Sequence, residues 1–299
     1  MPAPPRRLDP SDPSSTSDPS STSHQSSTSH QSDQLGARFS GGGGGAGGGE
    51  GAAPRVVLVH GFTQTGRSFD RIAGALSARR EVVCVDLPGH GQSAGHPVDD
   101  LADAARLVGA TGGRAAYVGY SLGGRTCLVL ALEHPGLVDR LVLVAASAGI
   151  GDDDERARRR AADEVLAGEL DGLGQGSIEG FLDRWLAGPL FAHLTAEQAD
   201  VPARRANTGP GLAASLRSCG TGAMRPVWDR LGELAMPVLV LAGERDGRYV
   251  AIAERLVAGI GGNARLGVVP DAGHAVPFEA PGPFVDAVED FLDGPFPAG

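Results

Sequence analysis

The stretch Val118-Gly119-Tyr120-Ser121-Leu122-Gly123-Gly124-Arg125 constrains this chain more than any other. Its Gly-x-Ser-x-Gly core joins an apolar run ending at Tyr120 to a helix-like run, Leu122 to Glu133. A serine between strand and helix sits on a turn tight enough to force its hydroxyl outward. Small residues are required beside it, because a Cβ at 119 or 123 would crowd the neighbouring strand and helix. Ser121 is therefore the candidate reactive centre.

The surrounding pattern alternates. Val56-Val57-Leu58-Val59 is a short continuous apolar run suited to a buried parallel strand. A helix-like stretch at 68–78 follows, then apolar Glu81 to Leu87, a helix from Leu101, a strand from Ala115 to Tyr120, the helix from Leu122 and a strand from Arg140 to Ala146. This βαβα order predicts a mostly parallel, doubly wound α/β sheet with right-handed crossovers. The alternation stops at Gly149. From about 150 to 234 the chain is helix-forming with charged clusters and lacks a β-rich run, which predicts an inserted helical cap. Strand, helix, strand and helix then resume from Pro237 to Leu292, so 54–299 reads as one domain with an insertion.

Residues 1–53 differ. Asp-Pro-Ser-Ser-Thr-Ser starts at Asp12 and again at Asp18, Ser-Ser-Thr-Ser-His-Gln occurs twice, and 41–51 is almost pure glycine. A segment with so little apolar surface is expected to be a disordered low-complexity tail. It contains no apolar signal-like core, and no run of about 18 apolar residues occurs in the chain, so no membrane span is expected. The net charge is −10 and all 26 basic residues are arginine. An acidic chain without a basic run is a poor nucleic-acid binder. Cys84, Cys127 and Cys219 have no metal-ligand spacing, so neither metal nor cofactor is expected, and they suit a reducing cytoplasm.

In a doubly wound sheet functional groups collect beyond the carboxyl ends of the strands. Asp246 lies there, in Gly-Glu-Arg-Asp-Gly after the 238–241 strand, and His274 follows in Asp-Ala-Gly-His. Serine, acid, histidine is a chain order that supports a catalytic triad: an imidazole accepts the serine proton and a carboxylate orients the imidazole. The backbone N–H groups of Leu122 and Phe62 are the expected oxyanion donors. Arg125, one helical turn after Ser121, can face the same cleft.

Over 55–293 these residues resemble the α/β-hydrolase superfamily, through His60-Gly61-Phe62, Leu87-Pro88-Gly89-His90-Gly91, the Ser121 elbow and Ala272-Gly273-His274-Ala275. Finer features resemble the menaquinone-pathway synthases that form 2-succinyl-6-hydroxy-2,4-cyclohexadiene-1-carboxylate: the elbow through Arg125, the stretch 155–163, Trp185 before Pro189-Leu190-Phe191, Arg205-Ala206-Asn207, and Asp246-Gly247-Arg248-Tyr249. That resemblance implies a triad-promoted proton abstraction followed by loss of pyruvate. It further implies that Arg125, Arg159 and Arg205 hold carboxylates of a small anionic substrate, with Tyr120 and Trp185 lining the pocket. The alternative on the same triad is a capped serine esterase or carbon–carbon bond hydrolase. The chain departs from the family pattern at Arg248-Tyr249, where lysine and an aromatic are usual, and at Val276-Pro277-Phe278, where a second histidine is common. Leading strands before Val56 are missing from the pattern, so a sheet one or two strands short is expected.

Overall fold

The computed structural model of the chain describes residues 34–41 and 54–295. Among the described residues seven strands form a single sheet: β1 (Ala37–Ser40), β2 (Arg55–Val59), β3 (Glu81–Val85), β4 (Ala115–Tyr120), β5 (Val138–Val144), β6 (Val238–Gly243) and β7 (Ala264–Val269). Their spatial order is β1-β3-β2-β4-β5-β6-β7. Only β1 runs antiparallel, with Ala37 opposite Val85 and Ser40 opposite Val82. The central strands are apolar on both sides because helices cover both faces. One face carries α2 (Leu101–Gly112), α3 (Leu122–Glu133) and α9 (Gly247–Ile260). The other carries α1 (Asp70–Leu76) and α11 (Pro281–Asp293).

Ala37–Ser40 falls inside the expected low-complexity tail, and it is a strand rather than a disordered segment. It is tied down by polar bonds that flank it. Leu35 N–H donates to Thr111 Oγ1 at 2.9 Å, Gly36 N–H donates to Ser93 Oγ at 2.9 Å, and Gly36 C=O accepts from Asp86 N–H at 2.8 Å. The repeats and almost all of the glycine tract lie outside the described residues.

Between β5 and β6 come α4 (Asp153–Leu173), α5 (Glu179–Leu186), α6 (Ala196–Ala199), α7 (Val201–Arg204) and α8 (Gly209–Cys219). They enclose an apolar cluster of their own, built on Ala167, Leu170, Ile178, Phe181, Leu182, Leu212, Ala213 and Leu216. Helix α8 is docked closely on the core: a Cβ at Gly211 would come within 2.6 Å of Gly89 O. A last short helix, α10 (Val276–Glu279), precedes α11.

Candidate active site

Three strand ends converge on one cleft. At the end of β4, Ser121 adopts φ 53° and ψ −108°, a strained conformation for a residue with a Cβ. The glycines around it make that turn possible. A Cβ at Gly119 would lie 2.4 Å from Gly123 O, and one at Gly123 would lie 2.1 Å from Val59 O. Helix α3 therefore starts hard against β2 and β4, with the Ser121 hydroxyl projecting from its N-terminus.

Beyond β6, Asp246 caps α9 by accepting from Tyr249 N–H at 3.2 Å through Oδ1. Its Oδ2 lies 2.9 Å from His274 Nδ1. With Nδ1–H donated to the carboxylate, Nε2 is left to accept from the Ser121 hydroxyl, 3.2 Å away. The loop carrying His274 is held on both sides by Glu279, whose two oxygens accept from Gly273 N–H (2.7 Å) and Ala275 N–H (2.8 Å). Gly243 at the end of β6 lets this loop approach, since a Cβ there would meet Gly273 O at 2.0 Å. Serine, imidazole and carboxylate thus stand hydrogen-bonded in series, each on a different loop of the sheet's carboxyl edge.

A cavity of about 80 Å³ opens beside Ser121, lined by Phe62, Leu122, Arg125, Arg159, Trp185 and Tyr249 among others. No acceptor among the described residues takes the backbone N–H of Phe62 or Leu122. Arg125 is 7% exposed, and its guanidinium donates to a carbonyl, Cys219 O at 2.8 Å. Burial pushes the Arg125 guanidinium below its ordinary range; Tyr249, Cys219 and Asp163 oppose that lowering and Arg159 adds to it. The guanidinium is hydrogen-bonded to a neutral carbonyl and not to a carboxylate, which leaves donors able to take an anion in the cavity. Arg159 reaches the same cavity while its Nε donates to Asp163 at 2.8 Å. Trp185 lines it too, with its Nε1–H buried and without an acceptor.

Two of the sequence-derived pocket residues lie elsewhere. Tyr120 does not line the cavity. The alternation of β4 turns its ring to the opposite sheet face, where it packs behind His274 at 5.6 Å between ring centroids. Arg205 points outward, 55% exposed, and pairs with Glu179 at 2.7 Å. Its neighbour Arg204 is the buried one, 2% exposed, donating to Ala199 O at 2.7 Å and to the Thr63 hydroxyl. Burial lowers the Arg204 guanidinium to about 10. Tyr249 entered the sequence reading only as part of the stretch after Asp246, with no site role. Its ring stands 4.5 Å from the His274 ring, edge-on, and burial pushes its phenol above the usual tyrosine range. The signal for it was available, because a residue three after Asp246 on a helix beginning there must face the same cleft.

His60 and His90 form a buried edge-to-face pair at 5.0 Å beneath the Phe62 loop. His60 Nδ1–H donates to Gly61 O, and its Nε2 accepts from Leu87 N–H at 3.0 Å. Burial lowers His60 to about 4 and His90 to about 3, so both are neutral structural groups near pH 7. The three cysteines are free and buried. Among the described residues no cluster of potential metal ligands occurs, and no helix is long and apolar enough to cross a membrane.

The model of the alpha/beta hydrolase family matches residues 56–287. The chain is a member of the α/β-hydrolase family. Among curated relatives of this α/β-hydrolase are the 2-succinyl-6-hydroxy-2,4-cyclohexadiene-1-carboxylate synthases of Salmonella schwarzengrund and Salmonella paratyphi C. Each is 34% identical over 250 residues, which is 80% of this chain and 94% of the relative. Among solved structures, MenH from S. aureus superposes with a TM-score of 0.76 at 27% identity, covering 86% of this chain and 97% of that one.

Proposed function

We propose that this α/β-hydrolase is a carbon–oxygen lyase of menaquinone biosynthesis. It eliminates pyruvate from 2-succinyl-5-enolpyruvyl-6-hydroxy-3-cyclohexene-1-carboxylate to give 2-succinyl-6-hydroxy-2,4-cyclohexadiene-1-carboxylate. The observation that carries the reading is Arg125, a buried guanidinium one turn beyond Ser121, in the same cavity and without a carboxylate partner. A site for neutral esters gains nothing from such a group, whereas this substrate carries three carboxylates. The similarity to synthases of this name over most of the chain supports the same substrate.

The chemistry follows from the two structures. The ring hydrogen beside the succinyl carbonyl is acidic, because its removal gives an enolate. Ser121 takes that proton while passing its own to His274 Nε2, and Asp246 stabilises the imidazolium that forms. The Phe62 and Leu122 N–H groups receive the enolate oxygen. As the carbonyl re-forms, electrons move into a ring double bond next to it, the original ring double bond shifts by one position, and the carbon–oxygen bond to the enolpyruvyl group breaks. The enolate released takes on carbon the proton held by His274, giving pyruvate and restoring the neutral triad. No acyl-enzyme forms, and no water is consumed. Arg125 and Arg159 hold carboxylates while this occurs, and Trp185 covers the ring.

Pyruvate release from the substrate, generated in situ, tests this. Ser121→Ala is expected to lower kcat by at least about 10³-fold. Arg125→Ala is expected to lower kcat/KM by on the order of 10²-fold or more, as for a lost charge-assisted pair. Arg205→Ala, on the exposed surface, should stay within about twofold. Pyruvate release no faster than background, beside rapid turnover of a short acyl ester that is indifferent to Arg125→Ala, would replace the lyase with an esterase.

A further inference from the structure

The loop after β2 carries a second strained residue. Gly61, Phe62, Thr63 and Gln64 form a β-turn closed by Gln64 N–H to Gly61 O at 3.2 Å, with Gln64 Oε1 accepting from Gly61 N–H at 3.0 Å. Thr63, the third residue of that turn, has φ 68°. A turn with positive φ at its third position ordinarily places glycine or asparagine there, and for a β-branched residue this conformation is an outlier. Thr63 is fully buried and cannot be held by solvent.

Its partners come from the helical insertion. Asn207 Nδ2 donates to Thr63 O at 2.7 Å, and Arg204 Nη1 donates to Thr63 Oγ1. Both partners are themselves fixed. Arg204 Nε is anchored on Ala199 O, and Asn207 Oδ1 accepts from Gly91 N–H at 2.9 Å. All three side chains are at least nine-tenths buried. Two residues some 140 positions further along the chain thus grip the backbone and side chain of one residue in the turn.

We infer that Arg204 and Asn207 are positioning residues for the reaction: they hold Thr63 in its left-handed conformation and so fix the turn that presents the Phe62 N–H to the reacting oxygen. This rests on the oxyanion role proposed above for Phe62. Gly61 and Gln64 are tied to each other. If Thr63 relaxes toward negative φ, the readjustment therefore falls on Phe62, the residue between them. An amide displaced by about an ångström no longer serves a developing oxyanion. Arg204 and Asn207 belong to the inserted segment, so the oxyanion pocket is complete only when that segment is seated on the β2 loop.

The test uses the full chain and two readouts. Asn207→Ala is expected to lower kcat for pyruvate release by roughly 10- to 100-fold, with KM changed by less than about threefold. It should also speed hydrogen exchange in a peptide spanning residues 60–66, with circular dichroism unchanged. Glycine adopts positive φ without cost, so adding Thr63→Gly should bring kcat of the double variant to within about threefold of Thr63→Gly alone. An unchanged kcat in folded Asn207→Ala, or an equal loss with and without Thr63→Gly, overturns the inference. Should the wild type release no pyruvate at all, the lyase reading fails separately. The hold on Thr63 is then decided by exchange, and no acceleration in Asn207→Ala refutes it.

Discussion

Ser121 and its glycines were legible because each is demanded by sterics that reach only a few residues along the chain. The 2.1 Å and 2.4 Å approaches at Gly123 and Gly119 admit no side chain, so the motif announces the turn. Arg204 and Arg205 were not separable in sequence, because α7 is four residues long and one step in register exchanges a buried guanidinium for an exposed one. His60 and His90 read as turn residues, and their burial adds a pH dependence that the sequence hides. Burial holds both below the ordinary histidine value, near 4 and 3. Below about pH 6.5 the unfolded chain takes up protons that the native state refuses. Native stability is therefore full above that pH and declines as pH falls toward 4, by about 1.4 kcal/mol per pH unit for each histidine. Replacing His90 by Asn keeps a donor for Pro88 O and removes the titration. Urea denaturation at pH 6.5, 5.5 and 4.5 should show a slope about half the wild-type value in His90→Asn. Parallel slopes would mean that the pair is hydrated in solution.

At the scale of elements, the parallel strands were visible as apolar runs, and the inserted helices as the place where such runs cease. β1 was not visible. Ala-Arg-Phe-Ser lacks an apolar run, stands between a polar repeat and a glycine tract, and serves an edge where Phe39 remains 64% exposed. Its evidence lies in partners distant in sequence: Thr111, Ser93 and the backbone of β3. The apolar anchor is Leu35, 5% exposed within the cluster formed by the face of α2 and α3. Leu35→Ala should lower the free energy of unfolding by ~2 kcal/mol or more, the usual cost of emptying a buried leucine site. A change below about 0.5 kcal/mol in a denaturant titration would show that β1 hangs on the sheet without stabilising it.

Across the whole molecule, two apolar clusters flank the sheet and a third, smaller one lies under the inserted helices. The cavity beside Ser121 holds about 80 Å³, well below the roughly 300 Å³ or more of a typical small-molecule site. A neighbouring cleft of about 250 Å³ is separated from it by Trp185 and Leu190, which line both. The substrate proposed above, with three carboxylates and a ring, exceeds that space and would enter only if the partition moves. Helix α8 cannot supply the motion, because Gly211 backs onto Gly89, Ser218 Oγ donates to Val98 O, and Cys219 O accepts from Arg125. The movable piece is α5 with the 3₁₀ turn Pro189–Phe191, which carries Trp185 and Leu190 and is anchored in the third cluster mainly by Phe181 and Leu182. Local openings draw on the elements with the fewest buried contacts. Native-state hydrogen exchange should find α5 amides opening at least ~2 kcal/mol more easily than those of β4 to β6, with α8 following the sheet. Leu182→Ala should accelerate α5 alone. If α5 instead exchanges only with global unfolding, the partition is fixed, and entry must come from side-chain rotation of Trp185 and Leu190 within a rigid frame.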